Sequence, residues 1–151
     1  AGIPFIVNDR VDIAMAVDAD GVHIGQEDIP ADVARILVGG GKILGVSART
    51  ADEIRRAVKE RADYIGYGPI YEARATKPDT MEPQGPEKLS EIRKLCPIPL
   101  IAIGGIKHEN AAEVIKHGAD GLAIISGIVS APDISEAVSR MKEIIKKARN
   151  R

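Results

Sequence analysis

The sequence predicts a parallel α/β fold, and a βα barrel of the TIM type is favoured over an open sheet. Two observations support this prediction. Six short apolar runs alternate with amphipathic stretches, and the runs begin 17, 21, 21, 36 and 22 residues apart. A spacing of about 20 residues is one strand and one helix with minimal loops, which leaves no room for a reversal of the sheet.

The six apolar runs are predicted strands. They are continuous rather than alternating, as expected for strands buried on both faces of a parallel sheet. The predicted strands cover residues 4–7, 21–24, 42–46, 63–67, 99–103 and 121–125.

The stretches between the strands carry recognisable helix ends. Thr50 and Glu53 have the spacing of a capping box. Gly39 and Gly118 are positioned to end two helices, and Pro97 to end a third. The last helix is predicted from an apolar face formed by Ile134, Val138, Met141 and Ile145.

A short motif recurs at three predicted helix-to-strand turns. Each copy is Ala-Asp followed by the first residues of a strand, beginning at Ala19, Ala62 and Ala119. The recurrence indicates either a common turn or the internal repetition of a barrel, and we favour the barrel.

Composition and charge exclude several classes of protein. The 151 residues suit one domain, predicted to span 1–151. The net charge of −1 argues against nucleic acid or an anionic membrane as a partner. Cys96, the single cysteine, excludes an intrachain disulfide and fits a cytoplasmic location. No apolar run approaches the roughly 20 residues that span a bilayer.

Two aspartates follow consecutive predicted strands. Asp9 comes after the first strand and Asp28 after the second. Because neighbouring strands lie about 4.8 Å apart, the two carboxylates could share one Mg²⁺ ion. The alternative is that each aspartate caps the helix that follows it, and the spacing alone leaves both open.

Glycine-containing loops follow the last two predicted strands. Gly104-Gly105 follows the fifth strand and Ser126-Gly127 the sixth. Glycine lets backbone N–H groups approach a phosphate, and the last two strands carry the usual phosphate site of such barrels. A Gly-Gly pair is also common in ordinary turns, but the occurrence on consecutive final strands favours phosphate binding.

A long polar segment separates the fourth and fifth predicted strands. Residues 71–84 lack apolar periodicity and are long enough to act as a lid, with Arg74, Thr76 and Lys77 available to a polyphosphate. A solvated loop is the alternative. The three histidines, His23, His108 and His117, have no metal-ligand spacing and are interpreted as structural or surface residues.

Taken together, these motifs resemble the thiamine phosphate synthase family. The matching stretches are IVNDRVD at 6–12, DGVHIGQED at 20–28, GVS at 45–47, DYIG and GP at 63–69, TKP at 76–78, AIGGI at 102–106, ENA at 109–111 and Ser126. Their order and spacing hold over most of the chain.

The resemblance implies a transferase on a (βα)₈ barrel that joins hydroxymethylpyrimidine diphosphate to a thiazole phosphate and releases pyrophosphate. It implies that Asp9 and Asp28 hold Mg²⁺. The remaining family positions are Asn8, Ser47 and Lys77 for the pyrimidine diphosphate, with Ser47 and Lys77 catalytic, and Thr76, Gly105, Ile125 and Ser126 for substrate contacts on the thiazole side.

The sequence departs from the family pattern in two places. The run Ala73-Arg74-Ala75 replaces part of the family's lid motif. The first two βα units of the family have no counterpart, so six of eight units are expected in this chain, as the C-terminal three quarters of a barrel. We therefore expect the fragment alone to be impaired, and either to form a homo-oligomer or to recruit the missing N-terminal segment.

Two other functions remain as alternatives. One is a thiazole tautomerase-like barrel, which carries a histidine where this chain has Pro69. The other is a non-catalytic phosphate-binding module. Retention of Asp9, Asp28 and Lys77 together favours the synthase.

Overall fold

Strands and helices alternate along the chain, as the sequence predicts. A computed structural model describes residues 2–72 and 82–150. The described elements are β1 (Ile6–Asn8), α1 (Val11–Ala16), β2 (Gly21–Ile24), α2 (Ala31–Val38), β3 (Ile43–Ala48), α3 (Ala51–Lys59), β4 (Tyr64–Tyr67), α4 (Gly85–Arg93), β5 (Leu100–Ile103), α5 (Ala111–Lys116), β6 (Gly121–Ala123), α6 (Ser126–Val129) and α7 (Ile134–Arg149). The chain forms two compact units, one of residues 1–66 and 95–99 and the other of residues 67–94 and 100–151.

The first unit is built on parallel strands in chain order. Asn8 of β1 pairs with His23 of β2, and His23 pairs with Gly45 of β3. Val22 and Leu44 are fully buried on these strands. Ile54 supplies the fully buried face of α3, a helix in contact with β3. Burial of such aliphatic side chains stabilises the unit by roughly 1.5–3 kcal/mol each.

The second unit contains the parallel pair β5 and β6, with Ile101 opposite Gly121. Helix α7 packs on α5 and α6. The Asp133 side chain accepts a hydrogen bond from the Glu136 amide at 2.9 Å and so begins α7. Met141 is buried as predicted, but Ile134 is 52% exposed. Alanines, which the apolar pattern did not emphasise, complete the buried face of α7.

Several predicted element ends are confirmed. β2 begins and ends where the sequence indicated, and Thr50 forms the predicted capping box with Glu53. Gly39 ends α2 with a positive φ of 72°. β1 begins at Ile6 instead of residue 4, because its ladder with β2 starts at the Ile6–Gly21 pair and the proline at position 4 has no N–H to donate.

The recurring Ala-Asp motif performs one structural task at all three positions. Each aspartate carboxylate accepts a hydrogen bond from a backbone N–H at the start of the preceding strand. The pairs, aspartate first, are Asp20 with Phe5, Asp63 with Leu44 and Asp120 with Leu100, at N···O distances of 2.7, 2.7 and 2.8 Å. Charged acceptors make these bonds stronger than neutral ones. The motif therefore fastens the amino end of one strand to the turn that opens the next.

Arginines reinforce two of these three carboxylates. Arg35 of α2 lies 2.6 Å from Asp63, and Arg93 of α4 lies 2.5 Å from Asp120. Arg35 is buried and also donates to the carbonyl oxygens of Gly39, Lys42 and Arg61. The guanidinium is thus surrounded by acceptors, as a buried charge must be.

Within the described ranges, every helix is too short or too polar to traverse a lipid bilayer.

Candidate functional site

Asn8 and Asp9 lie at the carboxyl end of β1. Asn8 is the last residue of the strand, and Asp9 follows it in the left-handed region with φ of 64°. The Asp9 amide donates to the His23 carbonyl oxygen at 2.7 Å, which ties this turn to the end of β2. A left-handed residue with a side chain costs about 1–2 kcal/mol, and aspartate is among the types that tolerate it. Such an outlier beside a strand end is typical of functional sites.

Asp28 lies in the turn that follows β2 and is hydrogen-bonded to the backbone of that turn. Its Oδ2 atom accepts from the Gly25 amide at 2.6 Å, which closes the turn that follows β2. Both aspartates are therefore anchored at the carboxyl end of β2. Neither occupies a helix N-cap position, because Arg10 is the N-cap residue of α1 and Pro30 that of α2. The alternative that they serve as N-cap residues is wrong.

Ser47 lies on β3 and is hydrogen-bonded to a histidine on the adjacent strand. The Ser47 Oγ atom lies 2.9 Å from His23 Nε2. On the other side of the ring, His23 Nδ1 lies 3.0 Å from the Tyr64 hydroxyl. The two rings stack with centroids 5.4 Å apart. Burial raises the pKa of the Tyr64 phenol, so this group keeps its proton.

Two glycines make room for these rings. A Cβ atom on Gly45 would lie 2.1 Å from Tyr64 Cζ and 2.5 Å from His23 Nδ1. A Cβ atom on Gly66 would lie 2.9 Å from His23 Cε1. Glycine is therefore required on both strands beside His23, and any side chain there would displace the rings.

Interpreting His23 as only structural or surface missed its contact with Ser47. The sequence signal available was the strand alternation: His23 separates buried Val22 and Ile24, so it faces the opposite side of the sheet. Gly45, its register partner on β3, marks the space that a ring could fill.

Gln26 is a second residue to which the sequence analysis assigned no role of its own. Its amide nitrogen donates to the Ser47 carbonyl oxygen at 2.5 Å. Arg56 of α3 donates in turn to the Gln26 side-chain oxygen. Gln26, Arg56 and Asp28 line a cavity of about 200 Å³ beside the end of β2. The backbone of Ser47 is thereby fixed from the β2 loop.

In the second unit, the Gly104-Gly105 loop lies against the segment that follows β4. Gly104 and Gly105 have φ values of 98° and 62°. A Cβ atom on Gly104 would lie 2.6 Å from Pro69 Cα, and one on Gly105 would lie 2.6 Å from the Glu72 carbonyl oxygen. Packing and backbone conformation already require both glycines, so their presence alone does not demonstrate a phosphate site.

Polar contacts fix the same loop. Asn110 donates from Nδ2 to the Gly105 carbonyl oxygen at 3.0 Å, and its Oδ1 accepts from the Lys107 amide at 2.8 Å. Tyr71 donates from its hydroxyl to Glu113 at 2.8 Å. Burial, then this hydrogen bond and the carboxylate charge, raise the pKa of Tyr71. The predicted thiazole-side position Gly105 is thus held by residues of its own unit.

Ile125 and Ser126 lie where β6 gives way to α6. Ile125 is 55% exposed and is the N-cap residue of α6, and Ser126 is the first residue of that helix. The Ile125 carbonyl oxygen accepts from the Val129 amide at 2.8 Å. Both predicted positions are therefore accessible from solvent.

The lid predicted over residues 71–84 is described only at its two ends. The Gln84 amide donates to the Pro69 carbonyl oxygen at 2.8 Å, and the Gly85 amide donates to that of Ile70 at 3.0 Å. Thr76, Lys77 and the departure at Ala73-Arg74-Ala75 lie outside the described residues. Their roles stay predictions.

The other two histidines join helices within the second unit. His108 Nε2 lies 2.9 Å from the Ala137 carbonyl oxygen, and His117 Nδ1 lies 2.9 Å from Ser90 Oγ. The structural interpretation fits these two residues. Over residues 2–72 and 82–150, no group of three or more histidine, cysteine or acidic side chains is arranged to hold a metal ion.

The fold defines a class of protein: a parallel α/β protein, in which the candidate residues Asn8, Asp9 and Asp28 lie at or after the carboxyl ends of two neighbouring strands. The family model described as thiamine monophosphate synthase matches residues 1–128. The chain belongs to this family.

Individual relatives support the assignment. The chain is 53% identical over 151 residues to a thiamine-phosphate synthase of Moorella thermoacetica, covering 100% of this chain and 71% of the relative. It is 51% identical to the one from Chloroflexus aurantiacus, covering 96% of this chain and 66% of the relative. The structure of a thiamine phosphate pyrophosphorylase from Pyrococcus furiosus superposes with a TM-score of 0.86 at 40% identity, over 96% of this chain and 68% of that one. The chain thus spans about two thirds of the length of these relatives.

Proposed function

We propose that this chain is the larger part of a thiamine phosphate synthase. The observation that carries the proposal is 53% identity, across all 151 residues, to a relative with that name. Contacts around β2 support it, because Asn8 is paired with His23, the Asp9 amide donates to the His23 carbonyl oxygen, and the Ser47 hydroxyl is hydrogen-bonded to the His23 ring. The Asp28 carboxylate accepts from the Gly25 amide in the turn that follows β2.

The proposed reaction joins two phosphorylated molecules. The bond between the methylene carbon of hydroxymethylpyrimidine diphosphate and its diphosphate oxygen breaks, and pyrophosphate leaves with the electron pair. The thiazole nitrogen supplies the pair that forms the new carbon–nitrogen bond. Charge grows on the leaving oxygens, so cationic and hydrogen-bonding groups aimed at the diphosphate lower the barrier.

In this proposal Asn8, Ser47 and Lys77 bind the pyrimidine diphosphate. Ser47 offers a hydroxyl whose orientation is set by His23 at 2.9 Å. Lys77 brings a positive charge to the leaving pyrophosphate. Thr76, Gly105, Ile125 and Ser126 serve the thiazole phosphate.

Asp9 and Asp28 fit a Mg²⁺ ion. Both supply hard carboxylate oxygens, both are anchored to the carboxyl end of β2, and Asp28 commits only Oδ2 to the Gly25 amide in the described contacts. Mg²⁺ takes one or two carboxylates and completes its shell with water and substrate phosphates, so a third protein ligand is not required. When bound, the ion would neutralise charge on the diphosphate.

The whole protein is proposed to form a (βα)₈ barrel of which this chain, as one domain, contributes six units. We also propose a cytoplasmic location and a dependence on a preceding segment or a second copy. The longer relatives support the further units and the dependence on another segment, because the chain covers only 66–71% of the two relatives named above.

A chimera tests the proposed activity. The 151 residues replace the matched segment of the Moorella thermoacetica relative, and thiamine phosphate formation is measured from both substrates with Mg²⁺. We expect activity within about tenfold of the parent, and loss of at least about a hundredfold for Asp9→Asn or Asp28→Asn, since each removes a metal-binding charge. Asparagine also tolerates the left-handed backbone at position 9.

Asp52→Asn is the matched control, because its carboxylate is 93% exposed and pairs only with Arg55 among the ion pairs described. An inactive chimera that folds and binds neither substrate would contradict the proposed function. Substrate binding without product would instead support the non-catalytic module.

A further inference from the structure

We propose that His23 is a positioning residue that presents the Ser47 hydroxyl as a hydrogen-bond donor to an acceptor atom of the pyrimidine diphosphate. The identity of this ligand rests on the proposed function. The hydrogen-bonded arrangement itself rests on contacts within the first unit.

The three side chains form one continuous path across adjacent strands. Tyr64 on β4 contacts His23 Nδ1 at 3.0 Å, and His23 Nε2 contacts Ser47 Oγ at 2.9 Å on β3. Both imidazole nitrogens are therefore engaged, one by each hydroxyl. A neutral imidazole has one N–H donor and one acceptor nitrogen, so its tautomer decides which hydroxyl gives its proton to the ring.

The Tyr64 phenol decides which hydroxyl donates its proton to the His23 ring. A phenol is a far stronger proton donor than a serine hydroxyl, since its ordinary pKa is near 10. Tyr64 therefore donates to Nδ1, and Nε2 carries the hydrogen and donates to Ser47 Oγ. The Ser47 hydroxyl proton is then directed away from the ring, where it can reach an acceptor on a ligand.

Packing restricts the position of the His23 ring, and so favours these two hydrogen bonds. Its ring stacks on Tyr64 with centroids 5.4 Å apart and fills the space that Gly45 and Gly66 leave open. The Gln26 side-chain nitrogen donates to the Ser47 carbonyl oxygen at 2.5 Å and so holds the Ser47 backbone. Side chain and main chain of Ser47 are thus both fixed before a ligand arrives, which reduces the ordering cost of binding.

Nuclear magnetic resonance of the 151-residue chain, labelled with ¹⁵N at histidine, tests the direction of the path without any ligand. At a pH where His23 is neutral, we expect Nε2 to carry the proton and Nδ1 to have the shift of an acceptor nitrogen. Ser47→Ala should move the Nε2 resonance, and Tyr64→Phe should move that of Nδ1. A proton on Nδ1, or no response to either substitution, would overturn the inference.

Binding of hydroxymethylpyrimidine diphosphate with Mg²⁺ to the chimera described above, measured by calorimetry, tests whether His23 acts through Ser47. His23→Asn and His23→Gln form a matched pair, because the glutamine amide extends about as far as Nε2 whereas the asparagine amide reaches only the Nδ1 position. We expect Ser47→Ala and His23→Asn each to weaken binding about tenfold, and His23→Gln to recover most of the loss, as befits one hydrogen bond.

The double variant separates positioning from general support of the fold. In the Ser47→Ala background, His23→Asn should weaken binding by less than about twofold, because non-additivity marks residues that act through one contact. A further full tenfold loss would overturn the positioning role. If the unsubstituted chimera shows no binding while the resonances behave as expected, the proposed function fails, and the identity of the ligand fails with it, whereas the hydrogen-bonded arrangement of His23 stands.

Discussion

At the scale of single residues, Arg35 is a buried charge that contributes to the stability of the first unit. It is 8% exposed, pairs with Asp63 at 2.6 Å and donates to three backbone carbonyl oxygens. We expect Arg35→Ala to lower the free energy of unfolding by about 3 kcal/mol, because the carbonyl groups lose charged donors. Urea denaturation measures the loss.

Arg55→Ala serves as the control for Arg35. Its guanidinium is 61% exposed and pairs with Asp52, so its removal should change the free energy of unfolding by less than about 1 kcal/mol. Equal losses for the two arginine variants would contradict the assigned role of Arg35.

Tyr67 gives a prediction in alkaline solution. It is fully buried, and its hydroxyl has no hydrogen-bond partner in the part of the chain that the structure describes. Burial, with a smaller effect of the Glu91 charge, raises the pKa of Tyr67 to about 12 from 10.0. Above about pH 10 the unfolded chain therefore loses this proton before the folded chain does, and stability falls as pH rises toward about 12.

Tyr67→Phe should remove part of this alkaline loss. It should also leave stability at neutral pH unchanged or raised by up to about 1 kcal/mol, since it deletes an unpaired buried group. Urea titrations at about pH 7, 9 and 11 measure both effects. An alkaline loss identical in the two proteins would show that Tyr67 does not titrate as described.

The candidate site was predictable from the sequence where it depends on strand ends, and not where it depends on contacts across strands. Asp9 and Asp28 were found because each follows a strand, Asp9 directly and Asp28 after the short turn at 25–27. His23, Ser47 and Tyr64 come together through the register of three strands, and their separations of 24 and 17 residues give no local pattern. Only the glycines at 45 and 66 hinted at that contact.

At the scale of elements, β3 requires glycine at position 45, where there is no room for a side chain. A Cβ atom at position 45 would lie within 2.5 Å of atoms of both Tyr64 and His23. We expect Gly45→Ala to lower the free energy of unfolding by about 1–3 kcal/mol, as overpacking does. It should also disturb the ring stacking, visible as shifted His23 resonances.

Gly41→Ala is the matched control, because a Cβ atom there meets nothing within 4 Å. Its free energy of unfolding should stay within about 0.5 kcal/mol of the original, as for most substitutions outside packed regions. A Gly45→Ala protein as stable as Gly41→Ala, with unchanged resonances, would contradict the packing around His23.

Element types were more predictable than element ends. The buried runs predicted strands correctly because a parallel sheet hides both faces, and the capping box of α3 is a local signal. The ends of β1 and β6 differ from prediction because the ladder with the neighbouring strand decides them. β6 ends at Ala123, the last residue paired with β5.

At the scale of the whole molecule, each unit exposes large apolar side chains. Ile3 and Phe5, beside β1, are 79% and 58% exposed. In the other unit, Ile125 and Val129 are 55% and 65% exposed. Such residues favour association with further protein surface.

We therefore expect the 151-residue chain alone to synthesise negligible thiamine phosphate. Adding the separately expressed N-terminal part of the Moorella thermoacetica relative, which lies outside the matched segment, should raise the rate. The measurement is product formation at increasing amounts of the added segment. An isolated chain that turns over at about 1 s⁻¹ or faster, a rate ordinary for complete enzymes, would contradict this expectation.

The aspartates of the Ala-Asp motif also show how often one structural contact recurs along the chain. These aspartates precede the even-numbered strands β2, β4 and β6. Each accepts a hydrogen bond from the amino end of the odd-numbered strand before it. The contact therefore recurs once for every two strands and their helices. The first two aspartates are 43 residues apart and the last two 57, and the longer interval contains the polar segment after β4. Pairs of strands with connections of unequal length thus keep the same aspartate hydrogen bond at their amino ends. Loops at the carboxyl ends can therefore lengthen and differ in chemistry while the hydrogen-bonded framework at the amino ends stays unchanged.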